Sequence, residues 1–414
     1  MKKAVMYGAG NIGRGFIGQL FSESGYEVVF VDVNTELINK LNNDEKYPVN
    51  ILTGTESTEI IVKNVRGVNG IDAFKVAEEI ATANIMATAV GVNVLPRIVK
   101  PIALGLRRRW QEGNLEPLNI IICENLMDAN HYLAKLIKLE LNEAEKVRFD
   151  NLIGLVEASI GRMVPVMTPE MQEGNILRIC VEEYGVLPVD EDGFKGEIPY
   201  IKNMKPFSPF NFYIQRKLYI HNMGHALTAY LGKLKGYTYI WEAIKDPSIK
   251  IAVLRAMQDS AMAMSLEHAI KLEILLEHVE DLIYRFSNRQ LGDTVNRVGN
   301  DTKRKLSSND RFIGAAKLCI KHNINPANIC LGIAAAMKFD LAVPSNGIGI
   351  SEMISEGGVS LVLEKICGLT LTLTLTDKNI ISDFVLEFYN LIDRNTSIDE
   401  IINMTGEFKR RKVM

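Results

Sequence analysis

Residues 217–232, KLYIHNMGHALTAYLG, predict a helix that carries an unusual set of polar groups. At about 100° per residue, five polar side chains fall within roughly 140° of one another. The opposite side is an apolar stripe, typical of a helix that packs on a core. The five side chains are those of Lys217, His221, Asn222, His225 and Thr228. A solvated surface helix would show the same pattern, so the rest of the chain must indicate what this face meets.

These side chains are suited to reducing a carbonyl group or oxidising an alcohol. A lysine whose pKa falls below its usual value of about 10.4 on desolvation is a suitable general base. Asn222 can donate amide N–H groups to a developing alkoxide, and His225 can orient the substrate or share its proton. His221 lies on the same face as a neighbour. The six histidines of the chain show no metal-ligand spacing, so we predict no metal here.

The elements that must position these groups differ between the two halves of the chain. Over residues 1–205, apolar runs such as KAVMYGAG, EVVFVDVN and LNIIICEN alternate with helical patterns. This predicts an NAD-binding α/β domain with a doubly wound parallel sheet of Rossmann type. Over residues 206–414, long stretches with a period of 3.6 predict a mainly α-helical substrate and catalytic domain. One exception is LTLTLTLT at residues 369–376, whose strict alternation favours a short edge strand or an extended segment.

A dinucleotide-binding motif follows the first predicted strand. YGAGNIGRG supplies glycines in G-x-G-x-x-G spacing, and GFIGQLFSES continues it as a helix. The glycines permit a tight turn, while the helix presents free N–H groups and its positive dipole end to a pyrophosphate. Arg14 would add charge near the phosphates. The residues expected to contact the cofactor here are Gly8, Ala9, Gly10, Asn11, Ile12, Gly13 and Arg14.

Three later segments extend this site. Asp32 ends the second predicted strand, nineteen residues after Gly13. An acid there can bind the ribose hydroxyls and repel a 2′-phosphate, which predicts NAD rather than NADP as the cofactor. Asn125 ends a further strand, where it would be a catalytic donor or a helix cap. The loop expected to meet the ribose and nicotinamide comprises Thr88, Ala89, Val90 and Gly91. A flavin site or a turn without a ligand is the alternative.

Composition excludes several other classes of protein. The chain has 414 residues, of which 47% are hydrophobic, and this length suits two domains. A formal net charge of -3 gives no field to attract nucleic acid or an anionic membrane. The five cysteines form no C-x-x-C pair, and no signal-peptide pattern or apolar run of about 18 residues is present. We therefore expect a cytoplasmic monomer or small homo-oligomer with a small-molecule substrate and no nucleic-acid or membrane partner.

The segment KLYIHNMGHA contains the spacing Lys-x4-Asn-x2-His. It resembles the signature of the polyol-specific, metal-independent long-chain dehydrogenases, the mannitol dehydrogenase family. Segments similar to that family occur in its order between residues 4 and 340: GAGNIGRGFIG, TAVG, PLNIIICEN, GFKGEIP, GHALTAYLGKLKG, RKLSSNDR and GIAAAM. The resemblance implies that Lys217 is the acid/base and that His225 orients the substrate. It also implies that Asn125 and Asn222 donate hydrogen bonds to the oxyanion.

The resemblance further implies basic contacts to the substrate. Arg297, in DTVNRVG, matches a residue that family members direct toward substrate hydroxyls or phosphate, although an i, i+4 ion pair with Asp293 would explain it equally well. Arg304 and Lys305 would be phosphate contacts or surface charges. Two expected carboxylates are missing, because other residues stand where the family usually has acids. Those residues are Gly161 and Gln215. These departures affect the choice of substrate more than the fold or the reaction class.

The resemblance therefore implies an NAD-dependent oxidoreductase that interconverts a phosphorylated polyol and its ketose. The expected pair is mannitol 1-phosphate and fructose 6-phosphate. Two alternatives stay open. One is a reductase of an unphosphorylated polyol or of a ketouronate such as fructuronate or tagaturonate. The other is a non-catalytic dinucleotide sensor with a disabled site.

Overall fold

The computed structural model of the chain describes residues 1–339, 349–369 and 377–411. The chain divides into two compact units, Met1–Tyr213 and Ile214–Met414. Most of the LTLTLTLT segment, predicted as an edge strand or an extended segment, lies outside the described residues. In the described part of the chain, no helix is both long and apolar enough to span a membrane.

Within residues 1–339, 349–369 and 377–411, the strands belong to the first unit and form one large sheet and two small ones. In chain order they are β1 Lys2–Tyr7, β2 Tyr26–Asp32, β3 Lys46–Leu52, β4 Ser57–Lys63, β5 Val65–Asn69, β6 Ile85–Thr88, β7 Leu118–Ile122, β8 Ile153–Glu157, β9 Ile179–Glu182, β10 Leu187–Asp190 and β11 Met204–Phe207. The large sheet has the order β5-β2-β1-β6-β7-β8, and each neighbouring pair is parallel. The order reverses between β1 and β6, where sheets of this type bind ligands at the carboxyl ends of the strands. The predicted Rossmann-type sheet is confirmed.

The strands of the large sheet are apolar almost without interruption because both of their faces are buried. Met6 and Phe30 belong to the core cluster on one face. Val5 and Val29, their neighbours along β1 and β2, belong to the cluster on the other face. Successive side chains of a strand point to opposite faces, so a sheet covered on both sides requires continuous apolar runs.

The remaining strands form two smaller sheets. In one, β3 pairs with β4 in antiparallel and with β9 in parallel orientation, and in the other β10 and β11 are parallel. The helices of the first unit are the π-helix Gly13–Gly18 and the α-helices Gln19–Glu23, Thr35–Asp44, Ala73–Ala81, Leu95–Gln111, Ala129–Leu139, Glu143–Leu152 and Pro169–Gln172. Strands and helices thus alternate along this half of the chain, as predicted.

The described part of the second unit is built from helices, as predicted. Beginning with the helix at the division between the units, they are the α-helix Asn211–Arg216, the π-helix Lys217–Asn222, the α-helices Met223–Leu234, Ile240–Ala243, Pro247–His268 and Leu272–Phe286, the 3-10 helix Arg289–Leu291, and the α-helices Val295–Gly299, Thr302–Lys305, Ile313–Lys321, Ala327–Met337, Ile350–Lys365, Asp377–Asp393 and Ile398–Lys409. Ala327–Met337 is buried along its whole length and packs against Met223–Leu234, Pro247–His268 and Asp377–Asp393. A helix that is apolar all round, such as ANICLGIAAAM, is expected at the centre of a bundle.

Candidate active site

The turn between β1 and the first helix requires its glycines for different reasons. Gly8 has a φ of +103°, and a Cβ there would lie 2.5 Å from the carbonyl oxygen of Ala89. A Cβ on Gly13 would lie 1.9 Å from the carbonyl oxygen of Gly8. At Gly10, by contrast, a Cβ would meet no atom of the described chain within 4 Å. The turn is therefore closed at Gly8 and Gly13 and open at Gly10, where a pyrophosphate can approach the backbone.

Arg14 braces this turn from within. Its side chain is buried, and its guanidinium donates hydrogen bonds to the carbonyl oxygens of Ala9 at 2.7 Å, Ile176 at 3.1 Å and Leu177 at 2.5 Å. Burial lowers the pKa of Arg14 below its usual value. The structure thus gives Arg14 a bracing role that the sequence did not indicate, and its predicted contact with phosphates stays a prediction.

Asp32 lies at the end of β2, beside the glycine turn. Its Oδ2 accepts a hydrogen bond from the backbone N–H of Ala9 at 2.7 Å, and its Oδ1 accepts one from Asn34 at 3.0 Å. Val33 and Ile71 follow the adjacent strands β2 and β5, and both are exposed apolar residues. An acid within reach of a ribose and an apolar surface for a base fit the adenosine half of a dinucleotide.

The loop after β6 is held by a buried acid that sequence reasoning missed. Thr88 Oγ1 donates a hydrogen bond to Glu124 Oε2 at 2.8 Å, and the backbone N–H of Val90 donates one to Glu124 Oε1 at 3.0 Å. Burial raises the pKa of Glu124, and these hydrogen bonds oppose the rise. Glu124 thus joins the loop predicted to meet the nicotinamide to the end of β7. The signal in the sequence was its position directly before Asn125.

Asn125 follows β7 and is exposed. The next helix, Ala129–Leu139, begins after Asp128, so Asn125 is not its cap and the helix-cap alternative is excluded. Within the part of the chain that the structure describes, the side chain of Asn125 has no hydrogen-bond partner. Its amide group is therefore available to a ligand.

The helix that carries the predicted catalytic lysine, residues 211–234, is named here the lysine helix. It is not a regular α-helix, because Lys217–Asn222 is a π-helical turn between two α-helical parts. Hydrogen bonds run from i to i+5 in such a turn, so a uniform 100° projection does not apply, and π-helical turns often occur at functional sites. Thr228 is fully buried, and its Oγ1 donates to the carbonyl oxygen of Gly224 at 2.8 Å. The prediction that Thr228 shares the polar face is therefore wrong.

His221 lies in the core rather than on a solvated face. It is 6% exposed, and its ring centre lies 5.8 Å from that of Phe286. Burial, followed by the charges of Arg285 and His225, keeps the pKa of His221 well below its usual value. Most of Met223–Leu234 is buried as well, so the surface-helix alternative does not hold.

The three residues of the Lys-x4-Asn-x2-His spacing remain partly accessible. Lys217, Asn222 and His225 are each intermediate in exposure. Among the described residues, the side chain of Asn222 makes no hydrogen bond. The ring of His225 stacks on Phe286, with the ring centres 4.8 Å apart and 14° between the planes. Phe286, which the sequence analysis missed, thus fixes the orientation of the imidazole.

His225 lies among charged side chains. Its Nε2 is 3.6 Å from Asp293 Oδ2 and has no hydrogen-bond partner in the described residues. Burial, followed by the charges of Arg297, Lys305 and Arg311, lowers the pKa of His225 to about 3. His225 is therefore neutral near pH 7, a state suited to orienting a hydroxyl group.

Two of the predicted substrate contacts are arginines that pair with acids. Arg297 pairs with the buried Asp293, so the i, i+4 ion pair considered above is present, and 46% of its side chain stays exposed. Arg304, 45% exposed, pairs with Asp301 and lies 3.9 Å from Asp310. Contacts of these two arginines with a substrate stay predictions.

Lys305 is not a surface charge. It is 6% exposed, and its Nζ donates to the carbonyl oxygens of Val298 at 2.7 Å and Asn300. Burial, followed by the charges of Arg311 and Arg304, lowers the pKa of Lys305 to about 7. A bound anion would raise that pKa again, because an opposite charge favours the protonated amine. Lys305 is therefore suited to holding an anionic group of a ligand.

The two positions that depart from the family pattern have local contacts. Gln215 Oε1 lies 2.9 Å from His268 Nε2. A Cβ at Gly161 would lie 3.1 Å from the ring of Tyr184. A larger acidic side chain at position 161 would therefore require Tyr184 to move.

Each unit holds one group of the predicted site residues. The first unit contains the glycine turn, Asp32, the 88–91 loop and Asn125, which all lie at or directly after the carboxyl ends of strands of the parallel sheet. The second contains the lysine helix and the cations near His225. A Rossmann-type sheet with an open glycine turn, combined with a helical unit that carries lysine, asparagine and histidine, defines a two-domain oxidoreductase of the dinucleotide-binding class.

Comparison with protein families agrees with this class. The mannitol dehydrogenase Rossmann domain matches residues 2–203, and the mannitol dehydrogenase C-terminal domain matches residues 210–363. The chain is also 37% identical, over 366 residues, to a mannitol-1-phosphate 5-dehydrogenase of Brevibacillus brevis, which covers 88% of this chain and 93% of the relative. The chain therefore belongs to the mannitol dehydrogenase family, which confirms the predicted family and enzyme class.

Two solved structures have the same fold. A D-sorbitol dehydrogenase in substrate-free form has a TM-score of 0.79 at 15% identity, covering 97% of this chain and 95% of the other. Pseudomonas fluorescens mannitol 2-dehydrogenase, in a ternary complex with NAD and D-mannitol, has a TM-score of 0.76 at 14% identity. The match covers 98% of this chain and 94% of the other. Both agree with the predicted fold class.

Proposed function

We propose that the protein is an NAD-dependent dehydrogenase that interconverts a sugar-alcohol phosphate and its ketose phosphate, namely D-mannitol 1-phosphate and D-fructose 6-phosphate. The activity named for the Brevibacillus brevis relative supports this pair. The observation that carries the proposal is electrostatic. Arg297, Lys305 and Arg311 lie near enough to His225 to lower its pKa. Cations gathered beside a neutral histidine favour a substrate with a dianionic group.

We assign residues 1–205 to NAD binding and residues 206–414 to substrate binding and catalysis. The open space at Gly10 supports a pyrophosphate against the backbone of the turn. The carboxylate of Asp32, beside Ala9, supports recognition of the ribose hydroxyls and rejection of a 2′-phosphate. The bound dinucleotide would supply or accept the hydride.

In the direction of alcohol oxidation, the Nζ of Lys217 removes the proton of the reacting hydroxyl as a general base. The amide N–H groups of Asn125 and Asn222 donate to the oxygen as negative charge develops on it. His225, with its ring stacked on Phe286, holds a neighbouring hydroxyl and so orients the substrate. In the reduction, Lys217 returns the proton to the same oxygen.

The basic residues of the second unit would bind the remainder of the substrate. Lys305 is buried, and Arg297 and Arg304 keep nearly half of their side chains exposed. Exposed charges are screened by salt, so we expect the KM for a phosphorylated substrate to rise with ionic strength.

Reduction of an unphosphorylated ketose or a ketouronate is the second candidate. It is favoured by the pairing of Arg297 with Asp293 and of Arg304 with Asp301. Each pair reduces the net positive charge available to a dianion. This candidate requires the same lysine chemistry but a different selectivity.

NADH oxidation with a panel of substrates distinguishes these candidates. We expect kcat/KM to be highest for fructose 6-phosphate, compared with fructose, fructuronate and tagaturonate. Equal efficiency with fructose would contradict the proposal and support the unphosphorylated substrate. A higher kcat/KM for fructuronate or tagaturonate than for fructose 6-phosphate would also contradict the proposal.

A further inference from the structure

Arg311 lies beside the lysine helix, at the start of the helix Ile313–Lys321. The next residue, Phe312, packs on Tyr230 of the lysine helix, with the ring centres 5.9 Å apart. Gly314 packs so closely on Tyr219 that a Cβ there would lie 2.6 Å from its ring. Arg311 is therefore held against the part of the second unit that carries the predicted catalytic residues, and sequence reasoning did not single it out.

The side chain of Arg311 is largely buried, but its terminal nitrogens have no hydrogen-bond partner among the described residues. The residue is 6% exposed, and its Nε donates to Asp310 Oδ1 at 2.8 Å. Neither Nη1 nor Nη2 has a hydrogen-bond partner within the described residues, and neither is fully enclosed. Polar groups of a largely buried side chain are usually paired within the protein, so two accessible donors left without a protein acceptor are suited to a ligand.

Another buried arginine shows what a purely structural guanidinium looks like in this chain. Arg109 is 2% exposed, and its two terminal nitrogens donate to the main-chain carbonyl oxygens of Ala81, Ala83 and Glu116 at 2.9 to 3.1 Å. Arg311 lacks such acceptors. Its terminal fork is therefore available for a ligand.

The charge of Arg311 acts on the same residues as the proposed substrate. It contributes to the lowered pKa of both His225 and Lys305. Arg297 uses a terminal nitrogen to pair with Asp293, and a terminal nitrogen of Arg304 lies 3.9 Å from Asp310. Arg311 pairs with Asp310 through Nε only, so among the described residues its two terminal nitrogens have no acidic partner. A planar guanidinium with two parallel N–H groups matches two oxygens of a phosphate.

We propose that Arg311 binds the phosphate group of the substrate through its terminal nitrogens and determines the preference for a phosphate ester over the free ketose. This inference rests on the proposed function. It goes beyond the sequence-based expectation, in which Arg297, Arg304 and Lys305 were the basic contacts.

The test measures two substrates in four proteins. Reduction of fructose 6-phosphate and of fructose by NADH is measured for the wild type, Arg311→Gln, Arg311→Lys and the control Arg255→Gln. Arg255 is an exposed arginine of the helix Pro247–His268, so its substitution removes one charge from the same unit. Inorganic phosphate is added as a competitor of fructose 6-phosphate in each case.

For Arg311→Gln we expect the KM for fructose 6-phosphate to rise by about 10- to 100-fold, the effect of losing hydrogen bonds to a charged group. The kinetic constants for fructose should change far less than those for fructose 6-phosphate, and competition by inorganic phosphate should weaken. For Arg311→Lys, the KM for fructose 6-phosphate should lie between those of the wild type and Arg311→Gln, because lysine keeps the charge but lacks the two parallel N–H groups. Arg255→Gln should have the same kinetic constants as the wild type for both substrates.

Equal losses for fructose and fructose 6-phosphate would overturn the inference, since they would indicate a general or structural role for Arg311. An unchanged KM for fructose 6-phosphate would overturn it as well. If Arg311→Gln does not fold, the same two comparisons are decided with Arg311→Lys. A wild type without any preference for the phosphate ester would instead overturn the proposed function, so the two failures are distinguishable.

Discussion

The glycine turn of the first unit and the surroundings of His225 in the second unit differ in whether some of their buried polar atoms lack a protein partner. Around the turn, buried polar side chains are engaged by the protein itself: Arg14 bonds to main-chain carbonyl oxygens and Glu124 accepts from the 88–91 loop. Around His225, the imidazole Nε2 and the terminal nitrogens of Arg311 have no partner in the described residues. In the first region these side chains hold the protein backbone, whereas in the second region some polar atoms can still bind a ligand.

This difference indicates that the two regions recognise their ligands in different ways. A cofactor that is always the same can be recognised by backbone shape, which the protein completes before the ligand binds. A substrate must be recognised and changed, so donors that are preorganised but not used by the protein can bind it when it arrives. Substitutions in the first region should therefore alter stability or cofactor binding, and those in the second should mainly alter substrate binding or turnover.

The largest effect is expected from Lys217→Ala. Loss of a general acid/base group lowers turnover by about 10² to 10⁴-fold. Affinity for NADH and thermal stability should be nearly unchanged. The matched control is Lys233→Ala, on the same helix, where the lysine is exposed and donates to Asn296. Equal turnover of the two variants, with chemistry shown to be rate-limiting, would place the reaction elsewhere.

The next largest effect is expected from Gly13→Ala. A Cβ there would lie 1.9 Å from the carbonyl oxygen of Gly8, so the turn must move, and we expect a loss of at least about 2 kcal/mol in the free energy of unfolding. Gly10→Ala is the matched control, because its Cβ meets no described atom. It should unfold like the wild type but bind NADH more weakly, as measured by titration of NADH fluorescence. Unchanged NADH affinity in Gly10→Ala would contradict the assignment of the open position to the pyrophosphate.

These two regions also show how far sequence reasoning extends. The glycine spacing and Asp32 at the end of β2 were recognisable because each acts through the local backbone. The hydrogen bond from Arg14 to the carbonyl oxygen of Leu177 could not be predicted, because the two residues are 163 positions apart in the chain. The buried position of Thr228 was missed for a related reason, because a regular helical projection does not anticipate a π-helical turn. Partners that come from distant segments leave no periodic pattern.

A smaller effect is expected on the pH dependence of stability. The pKa of His225 is about 3 in the folded protein and 6.5 in the unfolded chain, so between these values the unfolded chain binds the extra proton. The contribution of His225 to the free energy of unfolding is therefore fully present above about pH 6.5 and is lost as the pH falls toward 3. We expect His225 to account for a loss of about 2 kcal/mol between pH 6.5 and 5.

Urea unfolding at a series of pH values checks this prediction. His225→Gln should show a shallower loss of stability below pH 6.5 than the wild type, whereas the exposed-site control His131→Gln should not. Identical slopes for His225→Gln and the wild type would show that His225 is not held neutral by its surroundings.

The smallest effect is expected from Asp32→Ala. Removal of the carboxylate beside the glycine turn should narrow the preference for NADH over NADPH by about tenfold, since a 2′-phosphate would no longer be repelled. The ratio of kcat/KM values for the two cofactors measures the change. A wild type that already uses NADPH as well as NADH would contradict the role given to Asp32.

The most direct test of the central claim follows the transferred hydrogen. Fructose 6-phosphate is incubated with the wild-type protein and NADH that carries deuterium at the transferable position of the nicotinamide. The product is then identified by mass spectrometry and NMR. We predict mannitol 1-phosphate with deuterium at C5, the carbon that was the ketose carbonyl, and one product molecule for each NADH oxidised. A product without deuterium, or no oxidation of NADH by fructose 6-phosphate, would contradict the account.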